Sequence, residues 1–296
     1  TSNVRPLIII IFFFACSTES VKLDSTGHSS EIVIVSNASA ENNEQIEKLE
    51  KLFSSEIYGL TRFEPQFKLL NVKESDFKSI MRRHKNIIIF TDKYPTKRMN
   101  NVWSKNQIVW YLDYNDINFN KKINEIFDDF YLQELKSYKA INQSNLNTKL
   151  SELLSLKYGK QFIITNNFIK AYDSDKVTIV TDNKSNNELI QHIVFFKSEN
   201  PILSKNQLYM LTDSLSKRLL KGSKQGSHVK IENMYEPILY KGFYRGLWKL
   251  NKGFMGGPII ISNYNESEII TIGIIFAPNT DKRSYLKKME AILSFE

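Results

Sequence analysis

The apolar run at residues 7–15 ends on Cys16, and that cysteine is the only one in a chain of 296 residues. Two limits on folding follow. With no second thiol, no disulfide can staple the chain, so its native state has to rest on a hydrophobic core. The first fifteen residues also drop out of the folding problem. Arg5, a short unbroken apolar stretch and the small residue Ala15 have the layout of a secretory signal peptide. The stretch falls short of the roughly twenty residues that a membrane-spanning helix needs.

Phe13, Phe14 and Ala15 lead straight into Cys16. This resembles the lipobox, the bacterial signal cut just before a cysteine that then carries acyl chains, with Phe13 standing where Leu is usual. The organisation it implies is a lipoprotein signal peptide at 1–15, a lipidated Cys16 with a polar tether through residue 30, and order from about Glu31. Several acyl chains hold a protein at a membrane where one binds only marginally. The competing reading is an ordinary signal peptide with an incidental cysteine. The expected location is the cell envelope, lipid-anchored to a membrane and facing the periplasm.

About 280 residues remain, enough for one large domain or two small ones. The 42% hydrophobic and 12% aromatic content supplies a core. Losing Arg5 with the signal, and no acidic residue, takes the net charge from +8 to +7. The lysines are scattered beside Asn and Ser. The densest groups, Lys217, Arg218, Lys221 and Lys224, then Lys282, Arg283, Lys287 and Lys288, fall on amphipathic helical patterns and read as solvated faces. Nucleic acid is therefore not an expected partner.

Hydrophobic spacing predicts an α+β fold of mixed and antiparallel sheets with packed helices. Its N-terminal part reads as a small α/β layer: strands at 32–35, 87–90 and 107–112, a helix at 42–57 and a short helix at 74–82. A central helical pair follows over 116–158, broken by the polar residues 142–145 and stopped by Gly159. The C-terminal half is strand-rich, with strands at 162–165, 177–181, 190–196, 259–262 and 269–276. Helices are expected at 207–220 and 282–293, and a hairpin connection at Asn263, Tyr264, Asn265 and Glu266. Residues 31–296 are expected to form a single domain, with two subdomains divided near 142–160 as the alternative.

The most distinctive residues are Arg245-Gly246-Leu247-Trp248, Phe254-Met255-Gly256-Gly257-Pro258 and Ala277-Pro278, followed by Lys282-Arg283 and Glu290-Ala291-Ile292-Leu293. With Arg62, Glu64-Pro65-Gln66-Phe67 and His84-Lys85-Asn86-Ile87 upstream, their order resembles an uncharacterised lipoprotein family. That family is met mainly in Bacteroidota and catalogued as a domain of unknown function. The resemblance implies a lipoprotein address and a shared fold; it brings no activity, cofactor or catalytic residue. Physically, Gly256-Gly257-Pro258 predicts a turn that only glycines can take, fixed by the proline before the next strand. Arg245, Trp248 and Met255 beside it are candidates to line a sugar or peptide pocket, against a buried tryptophan under a tight hairpin.

No spacing points to a metal site, a nucleophile or a nucleotide loop, so no cofactor and no catalytic residue are expected. His28, His84, His192 and His228 stand apart from one another, and His84 reads as part of a solvated basic edge. The function expected is a membrane-anchored envelope lipoprotein with a non-catalytic binding or structural role, its partner an envelope protein or glycan. The alternative is an envelope-polymer hydrolase with Glu64, Arg245 and Gly256-Gly257 around one cleft.

Overall fold

The computed structural model describes residues 22–37, 43–183, 188–202, 204–263 and 268–294. Cys16 and the run before it lie outside these residues, as does most of the connection expected at 263–266. The first sheet is assembled from β1 (Glu31–Ser36), β2 (Lys68–Lys73), β3 (Asn86–Thr91), β4 (Lys97–Asn100) and β5 (Ile108–Asp113) in the order β2-β1-β3-β5-β4. All pair in parallel except β4, which runs antiparallel to β5. Alternating β-branched residues give this sheet two apolar faces. Ile32, Ile34, Ile88, Phe90, Ile108 and Leu112 face α1 (Asn43–Phe53) and α2 (Phe119–Ser144); Val33, Val35, Ile87 and Val109 face the other way. On α1, Leu49 and Phe53 supply the helical spacing that buries against the sheet.

Among the described residues no α-helix covers the second face. The segment expected as a helix at 74–82 is instead two short 3-10 turns, Glu74–Asp76 and Ser79–Arg83, whose only fully buried neighbour is Phe77 between them. A single apolar anchor gives too little spacing to hold a full α-helix against the sheet. The stretch from residue 22 that reads as a tether is docked: Ser25 N–H donates to the Lys105 carbonyl and Thr26 N–H to the Arg83 carbonyl. His84, expected at a solvated edge, is 6% exposed.

After α3 (Thr148–Tyr158), the second sheet takes β6 (Ile169–Asp173), β7 (Val177–Asn183) and β8 (Ile190–Lys197). Then come α4 (Lys205–Leu219), β9 (Val229–Ile231), β10 (Ile238–Tyr240), β11 (Phe243–Leu250), β12 (Gly256–Asn263), β13 (Ile269–Phe276) and α5 (Arg283–Leu293). The order is β10-β11-β12-β13-β8-β7-β6, antiparallel throughout, with β9 on β11. One face packs on α3 and α5, the other on α4. Helix and strand contents of about one third each confirm the α+β class. Residues 162–165 are extended but not a strand. Ile164 N–H and Phe162 N–H donate to the Ser151 and Ser155 hydroxyls of α3, which satisfy the backbone in place of a neighbouring strand. Among the described residues no helix is long and apolar enough to cross a membrane.

Candidate functional site

The residues singled out in the sequence are spread between a buried clasp and a strand pair. Arg245 on β11 points inward with 0% exposure and binds Glu290 of α5, itself 0% exposed. Its guanidinium lies 4.2 Å from the Tyr240 ring centroid, and Tyr131 of α2 donates to Glu290 Oε2 at 3.2 Å. Burial raises the Tyr131 phenol, and raises Tyr240 to about 12, so both stay protonated donors. Burial alone would raise Glu290, but Lys287 and Arg245 outweigh it and hold the carboxyl below its ordinary range. The group is an ion cluster closed to solvent.

Trp248 is 4% exposed, and its indole N–H donates to the Ile275 carbonyl at 3.0 Å. Gly256 and Gly257 do not make the expected turn. They open β12, paired with Lys249 and Trp248, and the chain reverses over residues 251–254. Glycine is required at 257 by close approach, since a Cβ there would sit 2.2 Å from the same Ile275 carbonyl oxygen that Trp248 uses. Pro258 is buried opposite Leu247, and Met255 is half-buried against the α4 side of the sheet. Glu64 is 7% exposed and accepts from the Lys282 and Arg283 backbone N–H groups at 2.8 Å each, which places its charge on the start of α5. Glu64, Arg245 and the glycine pair thus meet in no open groove, and the hydrolase alternative loses its motive.

Nor are three of the second group's four cations solvated. Lys282 and Lys287 are buried, and Arg283 reaches the Glu134 carboxylate of α2 at 2.6 and 2.8 Å. The solvated reading holds for Lys217, Arg218, Lys221, Lys224 and Lys288.

An open site exists elsewhere, at the carboxyl ends of the first sheet's parallel strands. There β1 leads to β2 on one side and β3 lies on the other, so the strand order reverses between β1 and β3. Open α/β sheets bind ligands at such a point. A crevice of 500 Å³ lies here, floored by Val35, Ile89 and Tyr111 on the face that lacks a helix. One wall is Phe77 and Trp103, edge-to-face at 5.5 Å, with the Arg82 guanidinium 5.9 and 5.8 Å from their centroids. The other is Tyr94, edge-on to Tyr111 at 6.1 Å, with Lys97 Nζ 4.9 Å from the Tyr94 ring. Burial, with Tyr94 adding to it, raises the Tyr111 phenol.

Behind the first wall, Gln107 is 1% exposed. Its amide N–H groups donate to the Arg82 and His84 carbonyls at 2.7 Å, and its side-chain oxygen accepts from Trp103 N–H at 2.9 Å. The rim carries Glu74, Asp92, Lys93 and Asn37, with Asn37 donating to Glu74. Tyr114, stacked on Phe90 at 5.0 Å, lines the end of the crevice with 8% exposure. Its hydroxyl has no hydrogen-bond partner among the described residues. Burial and then the Asp92 and Glu74 carboxylates raise its pKa, so it stays a neutral donor.

Sequence reasoning missed this crevice. The available signal was the aromatic content just past two parallel strands, Asp92 to Tyr94 after β3 and Tyr114 after β5; it becomes readable only once the strand order is known. Among the described residues no group of three His, Cys, Asp or Glu is placed to hold a metal ion.

Two family models cover the chain. One, described as Domain of unknown function (DUF8532), matches residues 25–147; the other, Domain of unknown function (DUF4837), matches residues 147–294. No curated protein and no solved structure matches it. Since the second match takes in half of its length, the chain belongs to the family described as Domain of unknown function (DUF4837).

Proposed function

We propose that the chain is a membrane-anchored binding protein of the cell envelope, held by lipid on Cys16, facing the periplasm and taking its ligand in the crevice at the ends of β1, β3 and β5. The observation that carries the binding role is the crevice itself: aromatic walls, charges of both signs at the rim, and a buried Tyr114 hydroxyl with no partner among the described residues. Concave sites with apolar walls and a few converging polar groups are where small ligands bind. A buried hydroxyl without a bond costs about 1–3 kcal/mol, which a ligand atom would recover. The anchor is supported by the apolar run that ends on Cys16.

Two measurements test this. Intact mass of the full chain from bacterial membranes should show an acylated Cys16, and Cys16→Ala should move the protein to the soluble fraction; an unmodified cysteine in a soluble protein sinks the anchor. Small-molecule extract of the envelope should raise the Tm of the wild type and not that of Tyr94→Ala/Tyr114→Phe. Equal shifts in both sink the crevice as the ligand site.

A further inference from the structure

The chemistry of the crevice narrows its ligand, given the reading of it as the binding site. Its 500 Å³ lies within the about 300–1,000 Å³ of small-ligand sites. Charge does not select an ion. Two cations, Arg82 and Lys93, and two carboxylates, Glu74 and Asp92, line it and balance, while Lys97 stands outside the lining with its amine over the Tyr94 and Tyr111 rings. Arg82 is moreover committed: its guanidinium sits against Phe77 and Trp103, and its Nε donates to the Phe77 carbonyl at 3.1 Å. A phosphate or carboxylate ligand would call for unopposed cations or converging backbone N–H groups, and a cationic ligand for unopposed carboxylates.

What the crevice does offer is flat apolar surface beside groups that donate and groups that accept. Tyr94, 51% exposed, and the half-buried Trp103 both line the crevice, Tyr94 with the more open ring for stacking. Glu74 and Asp92 accept, and the Tyr114 hydroxyl at the end of the crevice is buried with no hydrogen-bond partner among the described residues. A pyranose ring matches this set. Its C–H face stacks on an aromatic ring, and each of its hydroxyls can donate to a carboxylate and accept from a phenol. We propose that the crevice binds an uncharged saccharide, a pyranose unit of an envelope glycan.

The test is calorimetric titration of the full-length protein in detergent with maltotriose, cellotriose and tri-N-acetylglucosamine, beside adenosine, a neutral tripeptide and inorganic phosphate. At least one trisaccharide should bind saturably. Tyr94→Ala, at a position exposed enough to leave the fold intact, should weaken it about tenfold, the loss of one stacking contact. Tyr114→Phe should weaken it as well without lowering Tm, whereas Phe254→Ala, at an exposed ring on another part of the surface, should bind as the wild type does. No binding by any trisaccharide, or binding indifferent to Tyr94 and Tyr114, overturns the proposal. Binding of adenosine, tripeptide or phosphate in place of the sugars, lost in the same variants, overturns the saccharide and leaves the crevice as a binding site. Variants that alter no ligand's binding overturn both.

Discussion

At the scale of single residues, the clasp between α2, β11 and α5 holds more positive than negative charge. Arg245 and Lys287 share the Glu290 carboxylate, with Lys287 Nζ 3.4 Å from Glu290 Oε2 and 3.9 Å from the Tyr131 ring centroid. Lys287 is 1% exposed. Burial, first of all, holds its amine down at about 8 against an ordinary 10.5; Glu290 opposes the shift and Arg245 adds to it. An amine that gives up its proton more readily folded than unfolded makes the unfolded chain bind more protons between those two values, so the fold gains stability as pH rises from about 8 to 10.5. Lys287→Met removes a cation the fold has to bury and leaves Glu290 paired with Arg245. It is expected to stabilise the protein at neutral pH by roughly 2–3 kcal/mol and to flatten the rise above pH 8. Urea unfolding of both proteins at neutral and alkaline pH checks this. A variant less stable than the wild type at neutral pH would show that the buried ammonium contributes favourably.

At the scale of elements, the helix-free face of the first sheet depends on Gln107. Its side chain ties the 3-10 turn that carries Arg82 to the loop that carries Trp103, so one buried amide at the start of β5 shapes the crevice wall. Gln107→Ala should cost about 1–3 kcal/mol, the price of leaving buried carbonyl and N–H groups unpaired. Amide exchange should quicken at residues 82–84 and 101–103 while β1 and β3 keep their protection; unchanged exchange there would show that the wall is held by apolar packing alone. The elements legible in the sequence were those whose apolar spacing matches their burial, such as β1, β3, α2 and α5. β11 was not legible because Arg245 faces inward where alternation calls for an apolar residue, and its charge is met by Glu290, 45 positions on. The edge strand β2 has few buried positions, which leaves no clear period. Gly256-Gly257 misled in the opposite way. Its sequence demands glycine, and the demand is real, but it comes from the Ile275 carbonyl across the sheet rather than from a turn.

At the scale of the whole molecule, the two sheets are joined through helices rather than through each other. α5 packs its apolar side on β12 and β13, and α2, which covers the first sheet, lies against it. Its N-terminus is held by residues of the first half: Glu64 takes the Lys282 and Arg283 backbone N–H groups, and Arg283 reaches the Pro65 and Gln66 carbonyls and the Glu134 carboxylate. Glu134 is 1% exposed, so without Arg283 it would be a buried charge with its cation gone. Such a loss costs about 3–5 kcal/mol, far more than a surface pair contributes. Because the two sheets share this junction, the folded part should melt in a single calorimetric transition. Arg283→Ala should lower that transition by several degrees, or split it if the loss falls on the junction more than on either sheet. Two transitions in the wild type would instead mean that each sheet folds with its own helices, and that the α2–α5 contact is a docking of finished units. A small effect of Arg283→Ala would mean that water reaches Glu134 once the arginine is gone, and that apolar packing between α2 and α5 carries the junction.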